Sequence, residues 1–179
     1  GLNDFGDRID GDWRGRLEAL VASLEAEADL NVMGRLQVRQ EILRCLQSRL
    51  YLTKKITEKP EILEEEILEP FIITGTGRSG TTITLELLSQ DVDSLAPIAW
   101  QAFHPTDDLG DPATLLQLTE CEQDLWLDVC PQMAAIHELR SDIPDECIGV
   151  QKPSFGGMLW WVLHDVKTFP MDPEAAMQY

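Results

Sequence analysis

The feature that most constrains this chain is a glycine-rich loop between a predicted strand and a predicted helix. The apolar run at residues 71–74 favours a buried strand, and the composition of residues 83–88 favours a helix. Between them lie Gly75, Gly77 and Gly80, which permit left-handed backbone angles and leave room for a close approach. Backbone N–H groups and the positive end of the helix dipole can therefore converge on an anion, and the anion we predict is phosphate.

The residues of this loop distinguish it from the loops of ATP-binding enzymes. Gly75 and Gly80 have the spacing of the pattern G-x-x-x-x-G-K-[ST], and Thr82 occupies its final hydroxyl position, but Thr81 stands where that pattern has lysine. The nearest cation is Arg78, whose planar guanidinium can hold phosphate or sulfate oxygens through two parallel hydrogen bonds. We therefore predict a phosphate or sulfate site that differs from the usual magnesium-nucleotide arrangement.

Residues 71–82, continued through residues 86–91 and the Ala96-Pro97 pair, resemble the phosphosulfate-binding loop of the sulfotransferase family, in its bacterial-type branch with a helical N-terminal extension. The most specific part of this resemblance is residues 78–82. The resemblance implies an enzyme that uses 3′-phosphoadenylyl sulfate (PAPS) as its sulfate donor. Such an enzyme transfers the sulfuryl group of PAPS, without a metal ion, to a hydroxyl or amine of a small acceptor. It assigns PAPS binding to Thr76, Gly77, Arg78, Ser79, Gly80, Thr81 and Thr82.

The resemblance also implies a fold and a division of the chain. The fold is α/β and P-loop-like, as in sulfotransferases, and here it is mostly helical because most of the parallel sheet is missing. Residues 1–69 are predicted to form a helical region, and residues 70–179 the start of the PAPS-binding domain with a helical substrate or lid region. Since a lone strand leaves its backbone polar groups unpaired, we interpret the chain as an N-terminal fragment of a longer sulfotransferase.

Two residues are predicted to act in catalysis, Arg78 and His104. Arg78 would stabilise negative charge on the phosphosulfate as the reaction proceeds. The family often has an acidic residue directly after the tryptophan in this region, but here Trp100 is followed by Gln101, whose amide cannot accept a proton at neutral pH. His104 is therefore the nearest candidate base, and the alternative is that it is a partly buried structural residue. His137 is a weaker candidate for the same role.

The composition excludes several classes of partner. The chain has 14 Lys plus Arg against 32 Asp plus Glu, a net charge of −18, which repels nucleic acids and anionic membrane surfaces. Its four cysteines show no metal-binding spacing, so we predict free thiols and no metal. No apolar run has membrane-spanning length. We therefore expect a cytoplasmic protein whose partner is a small-molecule acceptor, with an oligomeric state that the sequence does not specify.

Helical periodicity predicts which faces are buried. A first helix has an apolar stripe of Leu17, Leu20, Val21, Leu24 and Ala28. A second helix, over residues 32–52, has Leu36, Leu43, Leu46 and Leu50 on its buried side and Arg35, Arg39, Arg44 and Arg49 on a solvated face, or alternatively in a phosphate-binding patch. A third begins after Asp111 and buries Leu118, Cys121, Leu125 and Val129. An apolar helix over residues 155–166 belongs to the core, or forms a lid that would favour a hydrophobic acceptor.

Two alternatives to the sulfotransferase interpretation stay open. A kinase or another P-loop transferase would bind ATP with magnesium, although the lysine expected at position 81 is missing. A non-catalytic helical interaction protein with a vestigial loop would bind neither PAPS nor ATP. Binding of PAP, the product left by PAPS, distinguishes these possibilities.

Overall fold

The computed structural model describes residues 2–76, 79–106, 108–135, 137–157 and 160. The α-helices are α1 (Trp13–Glu27), α2 (Val32–Glu58), α3 (Thr81–Leu88), α4 (Ala99–Phe103), α5 (Pro112–Val129) and α6 (Ile148–Gln151). Turns of 3-10 helix lie at Pro60–Glu64, Pro131–Ala135 and Lys152–Ser154. Within these residues extended pairing is limited to an isolated antiparallel bridge between Ile98 and Pro144.

The chain divides into two compact units. The first contains residues 2–57 together with residues 148–157 and 160, and the second contains residues 58–147. Residues 148–157 thus pack with the N-terminal helices. The functional division predicted from the sequence, residues 1–69 and 70–179, stays a prediction.

An aromatic core holds the first unit together. Trp13, Phe155 and Trp160 are each at most 2% exposed and lie in one cluster with residues of α1 and α2. The ring centroids of Trp13 and Phe155 are 6.1 Å apart, and those of Phe155 and Trp160 are 6.0 Å apart. Large aromatic rings remove much apolar area from water. Contacts between distant parts of the sequence therefore anchor Phe155 and Trp160 to the helices.

Helix α2 buries a different face from the predicted one. Leu36 and Leu43, expected in the core, are 56% and 42% exposed. The buried face is largely polar and consists of Gln37, Val38, Glu41, Arg44, Cys45, Ser48, Arg49 and Thr53. The prediction that Arg44 and Arg49 lie on a solvated face is therefore wrong.

Two arginines of the first unit, Arg16 and the buried Arg49, bind backbone oxygens as well as carboxylates. Arg49 donates to the carbonyl oxygens of Phe5, at 2.9 Å, and Pro153, at 3.0 Å. Arg16 donates to the carbonyl oxygen of Ser154 at 2.8 Å, and both arginines bind Asp10. These contacts give the carbonyl oxygens hydrogen-bond partners. Because the donors are charged, the hydrogen bonds are also stronger than those between neutral groups. They explain why arginines occupy a core face of α2.

In the second unit α4 packs against α5, and residues 141–145 run beside the start of α4. Backbone N–H groups of Ala99 and Trp100 donate to Ile143 and Ser141 at 3.0 and 3.1 Å. Asp111 caps α5 as predicted, because its carboxylate accepts the Thr114 N–H at 2.8 Å.

The predicted buried face of α5 is wrong. Its buried residues are Leu115, Thr119 and Gln123, whereas Cys121, Leu125 and Val129 are exposed or nearly so. Helix α4, whose Ala99 and Ala102 are buried, packs against α5. The face of α5 that is buried does not coincide with the most apolar stripe of α5. Most of the helix predicted over residues 155–166 lies outside the described residues.

The predicted buried strand at residues 71–74 is also wrong for this structure. The segment has no strand assignment, and Phe71 and Ile72 are 84% and 70% exposed. A strand requires a neighbour that accepts its backbone hydrogen bonds. Among the described residues no segment pairs with it, so its apolar side chains stay in solvent.

Candidate functional site

The glycine loop forms a tight turn that leads directly into α3. The Ser79 N–H donates to the Thr76 carbonyl oxygen at 3.2 Å, and Gly80 has a φ of +91°, in the left-handed region that favours glycine. Helix α3 begins at the next residue, Thr81. The Thr84 N–H and the Thr84 hydroxyl both donate to the Gly80 carbonyl oxygen, at 3.1 and 2.9 Å. The sequence correctly predicted this loop-to-helix transition.

Gly75 allows the two ends of the loop to approach each other. A Cβ atom at this position would lie 2.5 Å from Ser79 Oγ and 3.1 Å from Thr81 Cγ2. Even alanine would therefore displace the side chains that follow the turn. Glycine at position 75 therefore allows Ser79 and Thr81 to pack closely against the residue that precedes the turn.

The start of α3 provides donors for an anion. Gly80 is the N-cap residue, and no side chain caps the helix at that end. Helix geometry gives the N–H groups of Thr81, Thr82 and Ile83 no intrahelical acceptor, and the helix dipole makes this end positive. Thr82 is exposed and Thr81 is half-buried. Unpaired N–H groups at the positive end of a helix are an arrangement that can accept an anion.

Gly77 and Arg78 lie outside the described residues. Their predicted roles in anion binding, and that of Arg78 in catalysis, stay predictions. The structure does join Thr76 to Ser79 through a backbone hydrogen bond, and it places Gly80 at the N-cap and Thr81 and Thr82 in the first turn of α3.

His104 is buried and paired. It is 5% exposed, and its Nε2 lies 3.1 Å from Oε2 of Glu122 on α5. Its backbone N–H donates to the Trp100 carbonyl oxygen and ends α4. Glu122 lies 18 residues from His104, and no local spacing in the sequence indicates that the two residues pair. If His104 acts as a base, its contact with Glu122 can stabilise the protonated ring. The same contact also joins the end of α4 to α5.

Gln101 has a structural contact of its own. Its Oε1 accepts the backbone N–H of Ile98 at 3.3 Å, at the start of α4. The amide thus satisfies a donor that the helix leaves unpaired. This contact accounts for a hydrogen-bond acceptor at position 101 without giving that residue a role as a base.

His137 contacts a carboxylate in the same unit. Its Nε2 lies 3.8 Å from Oδ1 of Asp145, and both side chains are partly exposed. The side-chain contact with Asp145 raises the pKa of His137 above 6.5, and this effect outweighs burial, which lowers it. His137 is therefore more readily protonated than an ordinary histidine.

The structure resembles crystal structures of two mycobacterial sulfotransferases. STF1 from Mycobacterium tuberculosis H37Rv matches 93% of this chain with a TM-score of 0.70 and 26% sequence identity. STF9 from Mycobacterium avium matches 83% of this chain with a TM-score of 0.67 and 27% identity. This chain is a relative of the sulfotransferases. The relationship suggested by residues 71–97 is thus confirmed over most of the chain.

This sulfotransferase relative spans less than half the length of either neighbour. The matches take in 46% of STF1 and 40% of STF9. No protein-family model matches the sequence, and no curated protein does.

The sequence also predicted that the chain has neither a membrane span nor a metal. In the described part of the chain no helix combines the length and apolar character needed to cross a bilayer. The same residues contain no group of three or more His, Cys, Asp or Glu side chains arranged to hold a metal ion.

Proposed function

We propose that this chain is part of a sulfotransferase that transfers the sulfuryl group of PAPS to a hydroxyl or amine of a small, hydrophobic acceptor. The observation that carries the proposal is the combination of a glycine turn leading into the free N-terminus of α3 with a likeness to STF1 over 93% of the chain. PAPS supplies an activated sulfuryl group when bound. The reaction needs no metal from this chain.

In this proposal the loop binds and orients the phosphosulfate. The N–H groups of Thr81 and Thr82, their hydroxyls and the end of the α3 dipole stabilise its negative charge. Arg78 adds a permanent positive charge and two parallel donors. The Ser79 N–H already donates to the Thr76 carbonyl oxygen, so this N–H stabilises the turn. The Ser79 hydroxyl contacts the anion in this proposal.

The proposed base is His104, supported by its contact with Glu122. A carboxylate beside an imidazole can fix the ring orientation and stabilise the charged form after a proton is accepted. The ring is almost completely buried, so an acceptor would reach it only through a local opening of the second unit.

We further propose that the chain is one portion of a longer sulfotransferase. The support comes from the matches to 46% and 40% of the neighbours and from the exposed, unpaired segment at residues 71–75. Exposed apolar side chains follow on α3, where Ile83 and Leu87 are 59% and 68% exposed. Additional strands would cover this surface and pair with the segment.

Thermal unfolding with PAP tests the proposed function. PAP is expected to raise the unfolding temperature, whereas ATP with magnesium is not, because Thr81 replaces the phosphate-binding lysine of ATP-binding loops. A ligand at a hundred times its Kd stabilises a protein by about 2.7 kcal/mol, an effect that thermal shift detects readily. Stabilisation by ATP with magnesium alone would favour a kinase, and no response to either would favour a non-catalytic protein.

Arg78→Ala provides the second test. The variant is expected to lose the response to PAP and, in the full enzyme, sulfuryl transfer from PAPS. Arg8→Ala is the matched control, since Arg8 is an exposed arginine in the first unit. Undiminished turnover of Arg78→Ala would refute the assignment of the loop.

A further inference from the structure

Leu36 and Leu43, which were predicted to be core residues, belong to an exposed apolar stripe on α2. Val32, Leu36 and Leu43 are 74%, 56% and 42% exposed, and their spacing of four and seven residues places them on one side of the helix. Val21 on α1 is 43% exposed and, together with Leu43, lines a groove of about 200 Å³ between the two helices. We call the stripe and the groove the α1–α2 face. Contiguous exposed apolar surfaces of this kind mark sites of protein interaction.

The α1–α2 face carries a free positive charge. Arg39 lines the groove and is exposed, and within the described part of the chain its guanidinium has neither an ion pair nor a hydrogen bond. Arg35 lines the same groove, but it binds Glu25 at 2.6 Å. Antiparallel packing of two copies of this face, centred between Leu36 and Leu43, would bring the two Arg39 side chains together, and like charges repel. The surface that fits the face is therefore apolar and acidic.

Residues 61–69 provide a surface with these properties. All nine residues are exposed, and the segment has two apolar pairs, at 62–63 and 67–68, that are flanked by glutamates. Leu63, Ile67 and Leu68 are 64%, 83% and 76% exposed. None of the glutamates of the segment forms an ion pair with a described residue. The chain thus contains two exposed apolar surfaces of opposite charge.

We propose that two copies of this chain associate, with the α1–α2 face of each copy binding residues 61–69 of the other. Apolar side chains of the segment cover Leu36, Leu43 and the groove, while Arg39 binds the glutamates. Because the exchange is reciprocal, a twofold axis relates the two contacts and closes the dimer. Each contact removes apolar surface from water and pairs charges that are unpaired in the single copy. The dimer contact involves neither the glycine loop nor the His104 pair, so it is independent of PAPS binding.

Sedimentation equilibrium of the chain from about 10 µM to about 1 mM tests the association. A reversible equilibrium of monomer and dimer is expected, and it should weaken as salt rises from about 0.05 M to about 0.5 M, because salt screens exposed charges. L36E/L43E should abolish the dimer. L125E is the matched control and should leave the dimer unchanged, since Leu125 is 45% exposed on α5, outside both surfaces. A monomer over the whole range, or equal losses in the two variants, would overturn the proposal.

Charge reversal tests whether the two surfaces bind each other. R39E places a glutamate opposite the acidic segment, and E65K/E66K places lysines opposite Arg39. Each variant alone is expected to dimerise at least about tenfold more weakly, a difference that corresponds to about 1.4 kcal/mol. All three positions are exposed, so the substitutions should leave the fold intact.

An equimolar mixture of R39E and E65K/E66K is expected to dimerise about as well as the wild type, because each α1–α2 face then meets a segment of opposite charge. A mixture that stays monomeric would contradict the assigned contact. Wild-type affinity of E65K/E66K alone would do the same, since the α1–α2 face would then bind some other surface.

Discussion

Glu41 makes a buried ionic contact on which the first unit should depend strongly. It lies on the buried face of α2, and its Oε2 is 3.0 Å from Nη2 of Arg44 and 2.5 Å from Nζ of Lys152. All three side chains are at most 7% exposed. Lys152 is 111 residues away from Glu41, so this contact joins the 3-10 turn at residues 152–154 to α2.

The pKa of Glu41 sets the magnitude of the effect. Burial alone would raise it, but the charges and hydrogen bonds of Arg44 and Lys152 outweigh burial and lower it from 4.5 to about 2. A tenfold difference in proton affinity is worth about 1.4 kcal/mol, so ionised Glu41 contributes about 3 kcal/mol to folding. Because the folded-state pKa is the lower one, this contribution is present above pH 4.5 and is lost as the pH falls toward 2.

Glu41→Gln is therefore expected to lower the free energy of unfolding by about 3 kcal/mol at neutral pH, since it leaves Lys152 and Arg44 without their carboxylate. Urea unfolding followed by tryptophan fluorescence measures this loss, with Trp13 and Trp160 as reporters in the same core. The difference from the wild type should shrink as the pH falls toward 2.

Glu25→Gln is the matched control. Glu25 also binds an arginine, Arg35, at 2.6 Å, but both side chains are at least half exposed. Exposed pairs contribute little to stability, so this variant should unfold like the wild type. A Glu41→Gln protein within about 1 kcal/mol of the wild type at pH 7, or one whose deficit persists unchanged at pH 2, would refute the reasoning.

Three further perturbations test other parts of the structure. The contact with Asp145 raises the pKa of His137, so this contact stabilises the fold fully below pH 6.5. The stabilisation is lost as the pH rises through the folded-state pKa of His137. NMR titration of the ring should show the raised pKa, and Asp145→Asn should return it toward 6.5. Gly75→Ala should reduce the thermal stabilisation by PAP because its Cβ displaces Ser79 Oγ, whereas Gly11→Ala, with its nearest neighbour at 3.6 Å, should not; an equal PAP response in both would contradict the loop geometry. Phe155→Ala should cost about 3–5 kcal/mol in urea unfolding, while Phe71→Ala, at a side chain that is 84% exposed, should cost much less.

The sequence predicted local features of the fold well. Helix α2 begins at Val32 as expected, α5 follows the Asp111 cap, and the glycine loop leads into α3. These features depend on contacts within a few residues, such as a carboxylate that accepts an N–H three positions later. The loop part of the candidate site was therefore accessible to sequence reasoning, including the motif shared with sulfotransferases.

Other parts of the candidate site depended on contacts between distant positions. The pairing of His104 with Glu122 brings together residues that no local spacing relates. The segment at residues 71–74 also shows that local structure depends on a partner elsewhere in the chain. Its composition favours a strand, but a strand forms only when a neighbouring segment completes its hydrogen bonds.

Helix α2 shows what the sequence by itself determined and what required the tertiary structure. Its periodicity defined a helix with two faces, a first with Leu36 and Leu43 that was predicted to be the core face and a second with Arg44 that was predicted to be solvated. The structure buries the second face, since Lys152 and the carbonyl oxygens of Phe5 and Pro153 arrive from remote positions to satisfy its charges. Local sequence thus determined where helices begin and which residues share a face. Only the tertiary structure decided which face is buried, because the cost of burying a charge depends on partners that are far away in the sequence.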